Sequence, residues 1–458
     1  GGCERSDVKF QLCFSSDSSP LICLSLKLAP TYSKLEITNA FMVCVSKRMI
    51  FEGTLKITPD IAERFESDDL TFSFRTIRVW LKRDSGQYWP SIYHTVSSPC
   101  SCMSYHHDSR RIFIGQDNGA VVEFLISEDF NKMNHVKTYP AHQNRVSDMV
   151  FSLESEWVVS TGHDKSVSWM CTQSGSMLGR HYFTAWASCL QYDHETQHAF
   201  VGDYSGQITL LKLEKQTYST ITTLKGHEGA LWWDPVQRLL FSGASDHSVI
   251  MWDIGGRKGR TLLLQGHHER VQALRYLQLT RQLVSCSADG GMAVWNMDTQ
   301  REEAPQWLDS DSCQKCEQPF FWNIKQMWDT KTLGLRQHHC RKCGKAVCGK
   351  CSSKRSTFPI MGFEFPVRVC DACFDTIKEE DRTPLATFHE GKHNIAHMDM
   401  DPSRGLMVTC GSDRIVKVNN SSLIVPACVI VFTLMPIQAL RISTFQHYCQ
   451  IIHEENNW

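Results

Sequence analysis

One short pattern recurs along this 458-residue chain and limits what it can fold into. Small residues lead to an Asp; in the clearest copies an apolar residue follows three positions later and a large apolar residue six positions after the Asp. The best examples are SGASDHSVIMWD, with Asp246 and Trp252 at these positions, and SCSADGGMAVWN, with Asp289 and Trp295. Weaker copies are IGQDNGAVVEF ending at Phe124, STGHDKSVSWM ending at Met170 and VGDYSGQITLL ending at Leu210. FRTIRVW, ending at Trp80, is an earlier copy with Phe74 in the Asp position, and TCGSDRIVKVN is a last one in which Asn419 replaces the aromatic end.

The first five steps between these anchors are 44, 46, 40, 42 and 43 residues, the length of a four-stranded propeller blade. Gly226-His227 and Gly266-His267 open two of the repeats, and Ala141-His142 is a degenerate opener. The Asp has a structural role: its carboxylate takes hydrogen bonds in a tight turn between strands, often with the Gly-His histidine. Five near-even periods are not what chance strand alternation produces. These residues resemble the WD-repeat family over roughly residues 75–300 and 384–418. The expected fold is mainly β: a seven-bladed propeller whose first and last blades are incomplete. The fifth repeat is short, with 20 residues from Gly226 to Asp246 against 23 from Gly266 to Asp289, and the loss falls in GHEGALWWDP.

The last step, from 295 to 419, exceeds one blade by about 80 residues, so a second module is inserted between the sixth and seventh blades. It holds eight of the chain's 20 cysteines, in four Cys-x-x-Cys pairs: Cys313/Cys316, Cys340/Cys343, Cys348/Cys351 and Cys370/Cys373. Zinc takes four ligands in a tetrahedron, so four pairs make two sites. Spacing permits sequential or interleaved pairing equally. The stretch GGCERSDVKF does not read as a secretory leader, so a reducing compartment is the expectation, and there paired cysteines favour metal over disulfides.

The module resembles the FYVE finger family through Arg336-Gln337-His338-His339-Cys340-Arg341 and Arg368-Val369-Cys370. The resemblance implies that Cys313, Cys316, Cys348 and Cys351 hold one zinc and that Cys340, Cys343, Cys370 and Cys373 hold the other. It implies that Arg336, His338, His339, Arg341 and Arg368 line a pocket for phosphatidylinositol 3-phosphate. It also implies that Leu333 and Leu335 enter the bilayer. A phosphate monoester suits guanidinium groups, which meet it bidentately. Residues 330–360 carry eight Lys and Arg and no acid, although the formal net charge of the chain is −1. Three features depart from the family. Gln337 stands where a basic residue is usual. Trp307 is followed by Asp309 and Asp311 rather than by an acid at 310, so either could read the headgroup. The segment QPFFWNIKQMW lengthens the run between Cys316 and Cys340, and its aromatics are expected to pack against the propeller, the alternative being that they extend the membrane surface.

The expected organisation is a divergent, irregular segment over 1–50, propeller blades over 51–300, the zinc finger over 301–380, a truncated last blade over 381–418 and a divergent tail over 419–458. Imperfect closure is expected where the first and last blades meet. An apolar run at 423–440, interrupted by Pro426 and Pro436, is of borderline length for a membrane span. The functional expectation is a non-enzymatic adaptor recruited from the cytosol to the early endosome membrane, with protein partners on the propeller. Neither nucleic acid nor a small-molecule substrate is expected. The alternatives are a zinc-dependent ubiquitin ligase-like module and a nucleic-acid-binding module.

Overall fold

The computed structural model describes residues 10–14, 20–26, 30–37, 41–49, 53–57, 76–82, 88–227, 229–256, 259–331, 333–391, 394–401, 406–411 and 416–420. The apolar run at 423–440 lies outside these residues. The chain forms two compact units, one from residues 1–190, 213–219 and 393–458 and the other from 191–212 and 220–392.

In the first unit the repeats become antiparallel four-strand meanders. Cys100–His106, Arg111–Gln116, Val121–Ile126 and Met133–Tyr139 form one sheet; Val146–Ser152, Trp157–Gly162, Ser166–Cys171 and Met177–Tyr182 form the next. The middle strands are buried on both faces, as sheets packed on both sides require, and Phe113, Val121, Val146, Met149 and Val158 share one core cluster. The repeated Asp acts in its turn as expected. Asp164 Oδ1 lies 3.0 Å from His142 Nδ1 and accepts from the Ser166 hydroxyl at 2.8 Å, while His142 Nε2 sits 3.0 Å from Ser160 Oγ.

The first sheet departs from expectation. Pro30–Ile37 and Phe41–Met49 join Thr76–Lys82 and Tyr88–Thr95 in a complete four-strand sheet, and Phe10–Phe14, Pro20–Leu26 and Gly53–Ile57 form a further sheet. The segment 1–50, expected to be irregular, thus carries strands, and the first blade is not incomplete. At the other end His397–Asp401, Leu406–Cys410 and Val416–Asn420 form a three-strand sheet among the described residues.

In the second unit, Leu231–Asp234, Leu239–Gly243, Ser248–Asp253 and Gly259–Gln265 make the sheet of the short repeat. Its first strand is only four residues long, so the lost residues shorten the strand without abolishing it. His227 still bridges Ser242 Oγ at 2.9 Å and Ser248 Oγ at 3.0 Å, and Trp252 Nε1 donates to Ser242 Oγ at 2.8 Å. The following sheet repeats this with Trp295 Nε1 donating to Ser285 Oγ at 2.8 Å and His267 Nε2 at 2.6 Å from the same oxygen. Buried polar groups satisfied this way fix strand register.

The zinc finger interrupts that following sheet. Val271–Leu277, Gln282–Ser287 and Gly291–Asn296 precede it; Ala386–Glu390 returns after it and pairs Ala386 with Trp295 and Glu390 with Gly291. In repeat terms the insertion falls where the spacing places it; in sheet terms it lies between the third and fourth strands of one sheet. The finger also rests on the neighbouring sheet. Its hairpin, Arg355–Phe358 with Phe363–Arg368, meets Gln265 in parallel at Phe363, and Gln265 N–H donates to Gly362 O at 2.8 Å. Phe365 stacks on His268, with centroids 4.4 Å apart, and on Phe388 at 5.7 Å.

Candidate zinc centres and anion cluster

The finger's core is built around its cysteines. Cys313, Cys340, Cys348 and Cys370 are fully buried with Phe320, Val347, Phe358 and Phe363, while their partners lie nearer the surface. The structure brings the first pair to the third and the second to the fourth. The Sγ atoms of Cys313, Cys316, Cys348 and Cys351 lie within 4.8 Å of one another, as do those of Cys340, Cys343, Cys370 and Cys373. Interleaving, left open by the spacing, is the arrangement observed. A tetrahedron with Zn–S near 2.3 Å sets sulfur atoms about 3.8 Å apart, and Cys316 Sγ stands 3.8 Å from Cys348 Sγ. Backbone N–H groups point at both sites: Cys348 N donates to Cys313 Sγ at 3.3 Å and Cys370 N to Cys340 Sγ at 3.2 Å. Burial alone would push the Cys313 thiol up, but N–H donors from Cys348, Cys316 and Lys315 bring it down to about 7, towards the thiolate that zinc requires. The donor set and its spacing fit two zinc ions.

The metal frame positions a short hairpin, Gln337–His339 against Ala346–Cys348. Successive strand residues point to opposite faces, so the two adjacent histidines separate. Burial, followed by the charges of Arg368, Arg336, Arg355 and Arg341, holds the His338 imidazole below its ordinary range. His339 instead lies flat on Trp307, centroids 4.8 Å apart and planes 11° apart, with Nε2 3.2 Å from the Leu308 carbonyl oxygen. A carbonyl only accepts, so Nε2 carries the proton. Arg341 covers the same Trp307 ring, its Cζ 4.4 Å from the centroid.

The arginines have few internal uses. Arg368 donates to Ser352 O at 2.7 Å and Ser352 Oγ at 3.1 Å; Arg341 donates to His339 O at 3.3 Å; Arg355 stands directly opposite Arg368 across its hairpin. Among the described residues, none of Arg336, Arg341, Arg355 and Arg368 forms an ion pair with a carboxylate. Like charges facing each other across a hairpin oppose folding. Arg355 was not singled out in the sequence, although the acid-free basic run contained it.

The remaining expectations divide. Asp311 accepts from Trp322 Nε1 at 3.1 Å, and its main chain holds Phe320 N and Asn323, so it serves the lengthened segment. Asp309 follows Leu308, whose carbonyl meets His339, and is the acid carried next to the hairpin. Leu333 is 89% exposed. Leu335 does not stand free: it bridges Phe320, its N–H donates to Pro319 O at 2.9 Å, and it packs on the finger core. The segment expected to pack on the propeller instead buries Phe320 in the finger's own core. Phe321, Trp322, Ile324 and Trp328 turn outward, and no side chain of the helix Ile324–Thr330 is buried.

The repeating sheets and the two-cluster finger define a class: a WD-repeat β-propeller protein carrying a FYVE zinc finger. The FYVE zinc finger family matches residues 306–379, and WD domain, G-beta repeat models match 133–169, 218–253 and 257–296. The chain is 83% identical over 347 residues, 75% of this chain and 85% of the relative, to WD repeat and FYVE domain-containing protein 1 of Mus musculus. It is 63% identical over 346 residues, 75% and 86% of the two chains, to WD repeat and FYVE domain-containing protein 2 of Homo sapiens. It belongs to the family of WD repeat and FYVE domain-containing proteins. Among solved structures, the WD40 β-propeller domain of Doa1 shares the fold at TM-score 0.51 and 13% identity, over 85% of this chain and 92% of that one. These domains make a membrane-binding adaptor with a propeller for protein partners. Among the described residues no helix is long and apolar enough to cross a membrane.

Proposed function

We propose that the chain is a non-enzymatic adaptor that docks peripherally, from the cytosol, on early endosome membranes by binding phosphatidylinositol 3-phosphate, with the finger at residues 301–380 set into the propeller. Cys313, Cys316, Cys348 and Cys351 hold the first zinc; Cys340, Cys343, Cys370 and Cys373 hold the second. Arg336, His338, His339, Arg341 and Arg368 grip the phosphates, Arg355 joins them, and Asp309 reads the inositol hydroxyls. Leu333 enters the bilayer.

The observation that carries this reading is the cluster of four arginines around His338, none paired with a carboxylate among the described residues. A dianionic phosphate monoester offsets several such charges at once and accepts several of their hydrogen bonds. The propeller's protein partners are read from its repeats alone.

Sedimentation of the full chain with vesicles that differ only in phosphate position tests the reading. Binding should require the 3-phosphate lipid; equal binding to vesicles carrying the 4,5-bisphosphate lipid would overturn it.

A further inference from the structure

The lengthened segment between the two zinc pairs builds a second apolar surface beside the loop that carries Leu333. Asn323 caps the helix Ile324–Thr330, its side chain accepting from Gln326 N at 3.2 Å, and Lys331 ends it in a left-handed conformation. Ile324 and Trp328 lie on one face, a turn apart, and are 72% and 84% exposed. Phe321 is 61% exposed and packs edge-on against the half-exposed Trp322. Exposed aromatics and aliphatics grouped this closely mark a binding surface.

The helix is fixed to the Leu333 loop. Phe321 N donates to Leu335 O at 3.1 Å, and Gly334 N lies 3.0 Å from Met327 Sδ. A Cβ on Gly334 would meet Phe321 Cα at 2.3 Å and Met327 Sδ at 2.7 Å, so the two segments touch along their backbones. Leu333, Phe321, Trp322, Ile324 and Trp328 are therefore exposed on two segments fixed to each other. Lys325, Lys331 and Arg336 accompany these residues, against Asp329 on the helix and Asp311, which accepts from Trp322 Nε1.

We propose that this helix is a second membrane-insertion element, lying in the bilayer interface beside Leu333 when the finger binds an anionic membrane. The inference rests on the headgroup reading above and extends its contact area. An apolar face with a cationic fringe fits the boundary between acyl chains and anionic headgroups, where tryptophan is favoured. A protein groove would take the apolar face but has no use for the fringe and the adjoining arginine cluster together.

The test uses the full chain, vesicles of phosphatidylcholine and phosphatidylserine with or without phosphatidylinositol 3-phosphate, and the double variant Ile324→Ser with Trp328→Ser. Both side chains are exposed, so the variant should fold and retain its zinc. Its affinity for vesicles with the 3-phosphate lipid should fall roughly tenfold to a hundredfold. Brominated lipids should quench the native protein more than a Trp328→Phe variant. Undiminished affinity, or equal quenching, overturns the inference and assigns the patch to a protein partner. Loss of 3-phosphate dependence in the native chain would instead overturn the headgroup reading, a result that the vesicles without the 3-phosphate lipid separate from failure of the helix.

Discussion

Gly362 of the finger lies against the carbonyl of Leu263 in the propeller sheet so closely that a Cβ on it would stand 1.9 Å from that oxygen. Its φ of +85° excludes most side chains independently of space. Gly362→Ala should cost about 1–3 kcal/mol and open the seam between the Phe363–Arg368 strand and Gln265. Hydrogen exchange should quicken at Gln265 N–H, with the zinc content unchanged.

Zinc stoichiometry is the most direct check on the interleaved clusters. The native chain should hold two ions, and Cys348→Ser should hold one. Four cysteines sit in the finger's buried core, so chelation should unfold the finger, removing on the order of 10 kcal/mol of binding energy. Protease sensitivity should then appear within 301–380 before it appears in the sheets around Trp169 or Trp295.

Trp307 supports two site residues at once, His339 by stacking and Arg341 through its ring face. Trp307→Ala should weaken binding to 3-phosphate vesicles about tenfold. Trp307→Phe should recover most of the loss.

Arg355 should affect binding and stability in opposite directions. Arg355→Gln removes a cation from the membrane face and should cost about 1 kcal/mol of vesicle affinity. It also relieves the repulsion opposite Arg368 and should stabilise the free protein by about 0.2–1 kcal/mol, visible as a higher melting temperature at low salt.

The propeller carries a separate acid response. Burial pushes the His267 imidazole down to about 4, whereas in the unfolded chain it titrates near 6.5. Between these values the unfolded state binds a proton that the folded state lacks, so stability should fall as pH drops from 6.5 towards 4, by on the order of 3 kcal/mol. Asp246 acts lower: burial pushes it up, but hydrogen bonds from His227 and Ser248 bring it down to about 2, so its contribution is lost only as pH falls through that value. Urea midpoints from pH 7 to 4 should show the first loss, and His267→Gln should flatten that slope.

How far the sequence could be read depended on whether a residue's role was local. Asp246, Trp252 and the Gly-His histidines could be placed because spacing puts them at fixed points of each repeat. Ser242 and Ser285, which join histidine to tryptophan, were only part of a small-residue pattern, since nothing in their chemistry marks the middle of a strand. The strands at Pro30–Ile37 and Phe41–Met49 lacked the repeat signature, and only pairing with Thr76–Lys82 gives them a place. In the finger, cysteine spacing announced two metal sites but left their pairing open. The choice between Asp309 and Asp311 turned on Trp322, eleven positions from Asp311 and brought to it by the fold. Trp328 and Ile324 were visible as aromatic and aliphatic residues, but their outward direction was not.

The fourth strand, Ala386–Glu390, completes a sheet that the chain leaves at Asn296. The finger gathers its own two ends: Arg301 donates to both the Asn296 and Leu385 carbonyls, and Asn296 N–H donates to Leu385 O at 2.9 Å. Were the intervening residues a slack tether, closing it would cost about 4 kcal/mol of chain entropy. A folded finger has already met that cost when the strand docks. Metal in the finger and the integrity of this sheet are therefore thermodynamically linked: a chain starved of zinc should loosen the pairing of Ala386–Glu390 with Gly291–Asn296.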